Sequence, residues 1–257
     1  SIALSFALSL VIAAPIYRVI SLSGIFVVLA ILGVFAMFVT LYVLPSNKIE
    51  VGVQQASLKE VFFVPELMRL NFGVLLLHAT QVAMFLVMPH LLVEAGLPLT
   101  EHWKIYLSVV LLSFLMMAPI LIFGEKRHRL RLVFLIAIIF LVIAEILFSQ
   151  ARSIIFIALS LLIYFIGFNL LEALLPSLVS RFSNQSKGTA LGIFNTTQSI
   201  GLFFGAAVGG YLIDALGDMA VFKISAALLL CWLIIAWFMG ELPAKVVDSK
   251  NAAEVKT

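Results

Sequence analysis

The chain is a succession of apolar runs, each about as long as the hydrocarbon core of a bilayer is thick. No other feature limits its possible folds as much. The runs lie near 1–17, 23–43, 68–92, 103–124, 131–150, 153–180, 188–212 and 219–240. A spanning helix needs roughly 20 apolar residues, within a range of about 17 to 25. Lipid offers no hydrogen-bond partners, so each run has to satisfy its own backbone as a helix. The runs are too long for the strands of an outer-membrane barrel and lack their alternation. Only 11% of residues are charged and 63% are hydrophobic, against roughly 25% charged in soluble domains. A water-soluble fold would have nowhere to hide so much apolar surface. The expected class is an all-α polytopic membrane protein with about eight transmembrane helices.

The charged residues test this topology. One alternating set of connections contains 44–69, 125–131, 181–187 and the tail after Glu241; it holds twelve of the sixteen basic residues. The other set holds Arg18, Lys104, Arg152 and Lys223. A threefold bias of this kind follows the positive-inside rule and predicts that the first set, including the C-terminus, is cytoplasmic. The net charge of +3 therefore reads as a topology signal, and a nucleic-acid partner is not expected. Cys231 is the only cysteine, which excludes an intrachain disulfide and points to packing. Neither a metal nor another cofactor is expected. Ser1 opens directly into an apolar run with no basic region before it, so that run does not read as a signal peptide.

The longest connection, 44–67, opens with Pro45-Ser46-Asn47 and ends in Ser57-Leu58-Lys59-Glu60-Val61-Phe62-Phe63. Ser57 and Glu60 have capping-box spacing, which predicts a short amphipathic helix on the membrane surface. Four segments follow: two spans over 1–43, a linker over 44–67, a six-helix block over 68–242 and a tail over 243–257.

Several stretches carry a family resemblance. They are Leu67-Met68-Arg69-Leu70-Asn71-Phe72-Gly73, Glu101-His102-Trp103-Lys104-Ile105-Tyr106-Leu107, Asn169-Leu170-Leu171-Glu172-Ala173-Leu174-Leu175-Pro176-Ser177 and Lys187-Gly188-Thr189-Ala190-Leu191-Gly192. Through them the chain resembles major facilitator superfamily transporters, and within these the YajR-type proton-driven efflux transporters. The resemblance covers roughly 1–242. It implies a truncated major facilitator (two-times-six-helix) fold, with the spans here corresponding to helices five to twelve of the family. It also implies an inner (plasma) membrane location of bacterial type and a monomer when full-length. Gly124-Glu125-Lys126-Arg127-His128-Arg129 looks like the weaker second copy of the family's Gly-acid-basic turn, with Glu in place of Asp. Ala13-Ala14-Pro15 stands where antiporter members carry Gly-Pro, with alanine replacing the glycine. By family geometry, Glu125 with Lys126, Arg127 and Arg129 forms a gate latch toward the span that holds Pro15. The alternative is a solvated basic turn that serves topology alone.

Ionisable groups inside lipid usually face the bundle interior. Glu172 lies mid-span and shares a helix face with Asn169 and Pro176. Pro176 frees the carbonyl of Glu172 from its helical bond. A carboxyl in that setting can take up and release a proton during a cycle; the alternative is a neutral glutamic acid bonded to a neighbouring helix. Asn71, His78 and Gln81 form a polar stripe at helical spacing. The resemblance places their helix on the central cavity, with His78 binding substrate or sharing the proton with Glu172. An interhelical hydrogen bond is the structural reading. Asn195, Thr196, Gln198 and Ser199 read either as substrate contacts or as helix–helix bonding. Glu145, near Arg152, reads as a snorkelling or ion-paired structural residue. Gly201, Gly205 and Gly209, four apart, allow close helix approach, static or sliding. Met84, Met88, Met116 and Met117 with the many Phe residues suit either an adaptable pocket or a lipid face.

The expected function is secondary active transport, proton-coupled efflux of small lipophilic or amphipathic solutes by alternating access. The partners are the lipid bilayer, a small-molecule substrate and protons. An uptake symporter of the same fold and a transport-incompetent scaffold or sensor remain alternatives. No His-Glu-x-x-His, Gly-x-Ser-x-Gly or Walker loop occurs, so an enzyme is not expected.

Overall fold

The computed structural model describes residues 2–43, 58–183 and 186–240, the side chains of 2–15, 17, 18 and 43 excepted. The described residues form α1 (Ile2–Val43), α2 (Leu58–Phe62), α3 (Pro65–Glu94), α4 (His102–Lys126), α5 (Leu130–Phe148), α6 (Ile154–Phe182), α7 (Lys187–Leu216) and α8 (Asp218–Trp237). A 3-10 turn, Leu99–Glu101, precedes α4. Among the described residues, seven helices are long and apolar enough to cross a membrane, beginning with Val19–Tyr42. The two N-terminal spans expected from sequence run together as α1, interrupted at Ser21, whose φ of 59° is outside the helical range. The turn expected over 18–22 is thus compressed to one residue. The short amphipathic helix is present as α2, while its capping residue Ser57 and most of the linker lie outside the described residues.

Helices α3 to α8 build one bundle. Its closest seams form where a helix presents glycine. Gly201 and Gly205 of α7 lie on the backbone of Leu75 and Ala79 in α3, and Gly209 lies on Ala83. On the far side of α3, Gly73 faces the indole of Trp232 in α8, where an added Cβ would stand 2.5 Å from the ring. Trp232 is fully buried and meets Phe134 of α5 edge-on, with centroids 5.9 Å apart. Gly167 lets α6 approach Ala137 of α5, with the Ala137 carbonyl 2.6 Å from an added Cβ. Without a hydrophobic drive between helices in lipid, such close backbone contact supplies much of the attraction. In this conformation the seam of α7 on α3 is packed backbone to backbone.

The bundle turns its remaining apolar side chains outward. Leu111 and Leu115 of α4, Ile139 and Ile143 of α5, and Phe203 of α7 are all exposed, which suits a lipid-facing surface. Cys231 is also exposed on α8, rather than packed as expected. Several polar contacts tie the helix ends. Lys104 lies 3.2 Å from Glu101, and His90 of α3 lies 3.3 Å from Asp218 at the start of α8. At the opposite end Arg131 donates to the Trp237 carbonyl at 2.6 Å, tying α5 to the end of α8. Gly217 alone links α7 to α8; its φ of 81° falls where a side chain is strained, so glycine makes this sharp reversal possible.

Candidate functional site

Helices α3, α4, α6 and α7 line a half-open cavity of about 660 Å³. Most of its wall is aromatic and aliphatic, including Phe85, Phe114, Phe165, Phe168 and Met117. Five polar side chains enter it: His78 and Gln81 from α3, Asn169 and Glu172 from α6, and Gln198 from α7. An apolar cavity with a few convergent polar groups is the usual form of a small-molecule site.

The polar groups are organised around His78. Its side chain is almost fully buried, while that of Glu172 is 20% exposed and reaches open cavity space. Nε2 of His78 lies 3.2 Å from Oε1 of Glu172 and 2.8 Å from the amide nitrogen of Gln198. Nδ1 lies 3.0 Å from the Val74 carbonyl oxygen, so it donates there. The ring of Phe168 closes one side, 5.8 Å from the imidazole and edge-on to it. Asn169, one turn before Glu172, donates to Ser113 Oγ at 2.9 Å, and Ser113 in turn donates to the Val110 carbonyl at 2.7 Å. This chain of bonds ties α6 to α4 at the level of Glu172. Pro176 sits in the same helix one turn further on, where its missing N–H leaves the Glu172 carbonyl without its usual donor. An imidazole and a carboxyl at this distance can share or exchange one proton.

Other residues singled out from sequence fall elsewhere. Asn71 is buried, but its Oδ1 finds no hydrogen-bond partner and it does not line the cavity. Asn195 is exposed on α7 and is likewise absent from the cavity wall. Of the methionines, Met117 lines the cavity, Met84 and Met88 are fully buried in the core, and Met116 faces outward. Glu145 corrects the sequence reading: it is fully buried, neither snorkelling nor paired with Arg152, and neither carboxyl oxygen has a hydrogen-bond partner. Arg152 instead donates to the Ala151 carbonyl and to Met219 Sδ.

In the turn after α4, Glu125, Lys126, Arg127 and Arg129 are exposed. Glu125 Oε1 lies 3.7 Å from Nη2 of Arg181, so in this conformation it faces α6. Arg127 rests over the ring of Phe123, 5.8 Å from its centroid. The side chain of Pro15, the expected counterpart of this turn, lies outside the described residues.

From sequence, Gln198 read either as a substrate contact or as a helix–helix bond. The structure shows it lining the cavity and bonded to His78, a partner the sequence did not point to. The two are 120 positions apart, and no local pattern links them. The aromatic wall was equally hidden, because Phe occurs 22 times and spacing does not tell a cavity ring from a lipid-facing one.

Comparison with known proteins supplies the family. Residues 1–206 match the sequence profile of the Major Facilitator Superfamily. The chain is 33% identical over 250 residues to the inner membrane transport protein YajR of Escherichia coli, covering 95% of this chain and 55% of that protein. An uncharacterised transporter of Buchnera aphidicola (Acyrthosiphon pisum strain) is 31% identical over 218 residues, 80% of this chain and 55% of the relative. A shorter match of 106 residues, at 33% identity, joins it to an uncharacterised major-facilitator-type transporter of Methanocaldococcus jannaschii, covering 40% of this chain and 28% of the relative. The chain spans about half the length of the first two relatives. With a profile match over most of its length and a six-helix bundle in which four helices line a polar-centred cavity, this multi-pass membrane chain belongs to the major facilitator superfamily.

Proposed function

We propose that the complete protein is a secondary transporter performing proton-coupled efflux of small lipophilic or amphipathic solutes by alternating access. One observation carries the reading: the contact between His78 and Glu172, set in the wall of an otherwise aromatic cavity. Ionisable groups at membrane depth are costly, by about 2.5–3.5 kcal/mol on insertion scales, and mark ion or proton pathways by default. The aromatic and methionine wall suits ligands that vary in shape, since such surfaces adapt by repacking. Protonation of the pair and occupancy by solute then compete for the same space, which is the elementary requirement for exchange.

In this reading Gln81, Asn169 and Gln198 orient the solute or the pair. The polar residues Asn71 and Asn195, outside the cavity in this conformation, enter the pathway when the bundles rock. Glu125 with Lys126, Arg127, Arg129 and Pro15 forms the gate at the cytoplasmic end, and its charge-assisted contacts exchange partners between conformations. The positive-inside bias puts this end and the C-terminus in the cytoplasm.

The test is Glu172→Gln in the full-length protein reconstituted into proteoliposomes with an imposed pH gradient. Efflux of a lipophilic fluorescent dye is expected to lose its dependence on the gradient. Gradient-driven efflux at the wild-type rate would end the reading.

A further inference from the structure

The imidazole of His78 is held at both nitrogens, and the two contacts have different consequences. Nδ1 faces the Val74 carbonyl, one turn back on α3, at 3.0 Å. A carbonyl only accepts, so Nδ1 carries a hydrogen in the neutral ring and in the imidazolium alike. Nε2 is therefore the atom at which His78 gains or loses its proton. It faces the Gln198 amide nitrogen at 2.8 Å and Glu172 Oε1 at 3.2 Å. Glu172 is the titratable group that α6 brings to this point. The cavity residues of α4 and α7 (Val110, Phe114, Met117, Gln198 and Leu202) carry no charge, and neither does Gln81 of α3.

An amide nitrogen donates, so with Gln198 in this orientation Nε2 accepts, the pattern of the neutral ring. A Glu172 carboxylate oxygen at 3.2 Å then has no hydrogen between it and Nε2 and gains one only when the ring is protonated. A proton on Nε2 would set donor against donor across 2.8 Å. The terminal torsion of glutamine is broad and roughly twofold, so a half-turn exchanges amide nitrogen for amide oxygen at little cost. The bond then re-forms with its direction reversed, while Glu172 remains in reach of the new N–H. Methionine or leucine at 198 would satisfy neither state, and lysine only one. The α7–α3 seam keeps the amide in place, because Gly201, one turn after Gln198, rests on Leu75.

We propose that Gln198 is a positioning residue whose amide follows the charge of His78: its nitrogen faces the neutral ring and its oxygen faces the imidazolium, so α7 stays bonded to α3 in both states. Its use in transport rests on the reading of His78 and Glu172 given above. The amide turn carries a proton event on α3 to a second helix without breaking the seam.

The experiment is nitrogen NMR on the full-length protein in lipid nanodiscs, with histidine and glutamine side chains ¹⁵N-labelled. His78→Asn and Gln198→Met assign the two signals. At high pH, neutral His78 is expected as the Nδ1–H tautomer, with its Nε2 signal shifted by an amide donor. Gln198→Met removes that shift, and Glu172→Leu, which offers Nε2 no donor, leaves it in place. On acidification the Gln198 amide signals are expected to move with the same midpoint as His78. An Nε2–H tautomer in the neutral state, or amide signals that stay fixed while His78 titrates, overturns the proposal. If Gln198→Met fails to fold, Gln198→Asn assigns the amide, and the tautomer of wild-type His78, assigned by His78→Asn, still decides. The two readings fail separately. A moving amide with gradient-driven efflux intact in Glu172→Gln removes the coupling, and a fixed amide with that efflux lost removes only the role of Gln198.

Discussion

Replacing Gly201 by alanine adds one methyl group to a seam with no room for it. A Cβ at 201 would stand 2.5 Å from the Leu75 carbonyl oxygen and 3.1 Å from the Leu75 Cα. Both are backbone atoms of a neighbouring helix, so no side chain can rotate away. Ordinary contact begins near 3.4 Å, so α7 must retreat from α3 by about 0.9 Å at this level. Overpacking of this kind costs about 1–3 kcal/mol. The same retreat carries Gln198, one turn away, from 2.8 Å to roughly 3.7 Å from His78, beyond hydrogen-bond range. The helix contains its own control, because nothing lies within 4 Å of a Cβ built on Gly210. Alanine in a helix interior gains about 1 kcal/mol over glycine at either position. That gain cancels in the comparison, so the difference between Gly201→Ala and Gly210→Ala isolates the contact with Leu75. Equilibrium unfolding of the two full-length variants in mixed detergent is expected to place Gly201→Ala about 1–3 kcal/mol below Gly210→Ala. Equal stability would refute the claim that α7 is held against α3 backbone to backbone.

Glu145 and Asn169 give two further expectations. Glu145 is fully buried with both oxygens unpartnered, so Glu145→Met removes an unsatisfied group and is expected to raise stability by about 1–3 kcal/mol in the same unfolding assay; a lower stability would show that the carboxyl has a partner. Asn169 donates to Ser113 at 2.9 Å, so a double-mutant cycle with Asn169→Ala and Ser113→Ala is expected to return a coupling of about 1 kcal/mol. Additive losses would mean that the bond between α6 and α4 contributes nothing.

Membrane insertion was legible in the sequence because its cost is local. Each residue is transferred into lipid largely on its own account, so the runs around α3 to α8 could be read one at a time, and the mid-span His78 and Glu172 stood out against their apolar neighbours. The family motifs were local as well, being contiguous words such as Asn169 to Ser177. What the sequence withheld was orientation about each helix axis. Asn71, His78 and Gln81 share one stripe by spacing, yet only His78 and Gln81 reach the cavity. Glu145 lies seven positions from Arg152 and looked paired, but the turn of α5 directs it into the bundle, away from that end of the chain. Gln198 meets His78 because glycine at 201, 205 and 209 brings α7 down onto α3, a contact that depends on two surfaces at once. Burial in lipid is a property of single segments and is written along the chain. Proximity between polar groups on different helices is set by packing, and only the assembled bundle decides it.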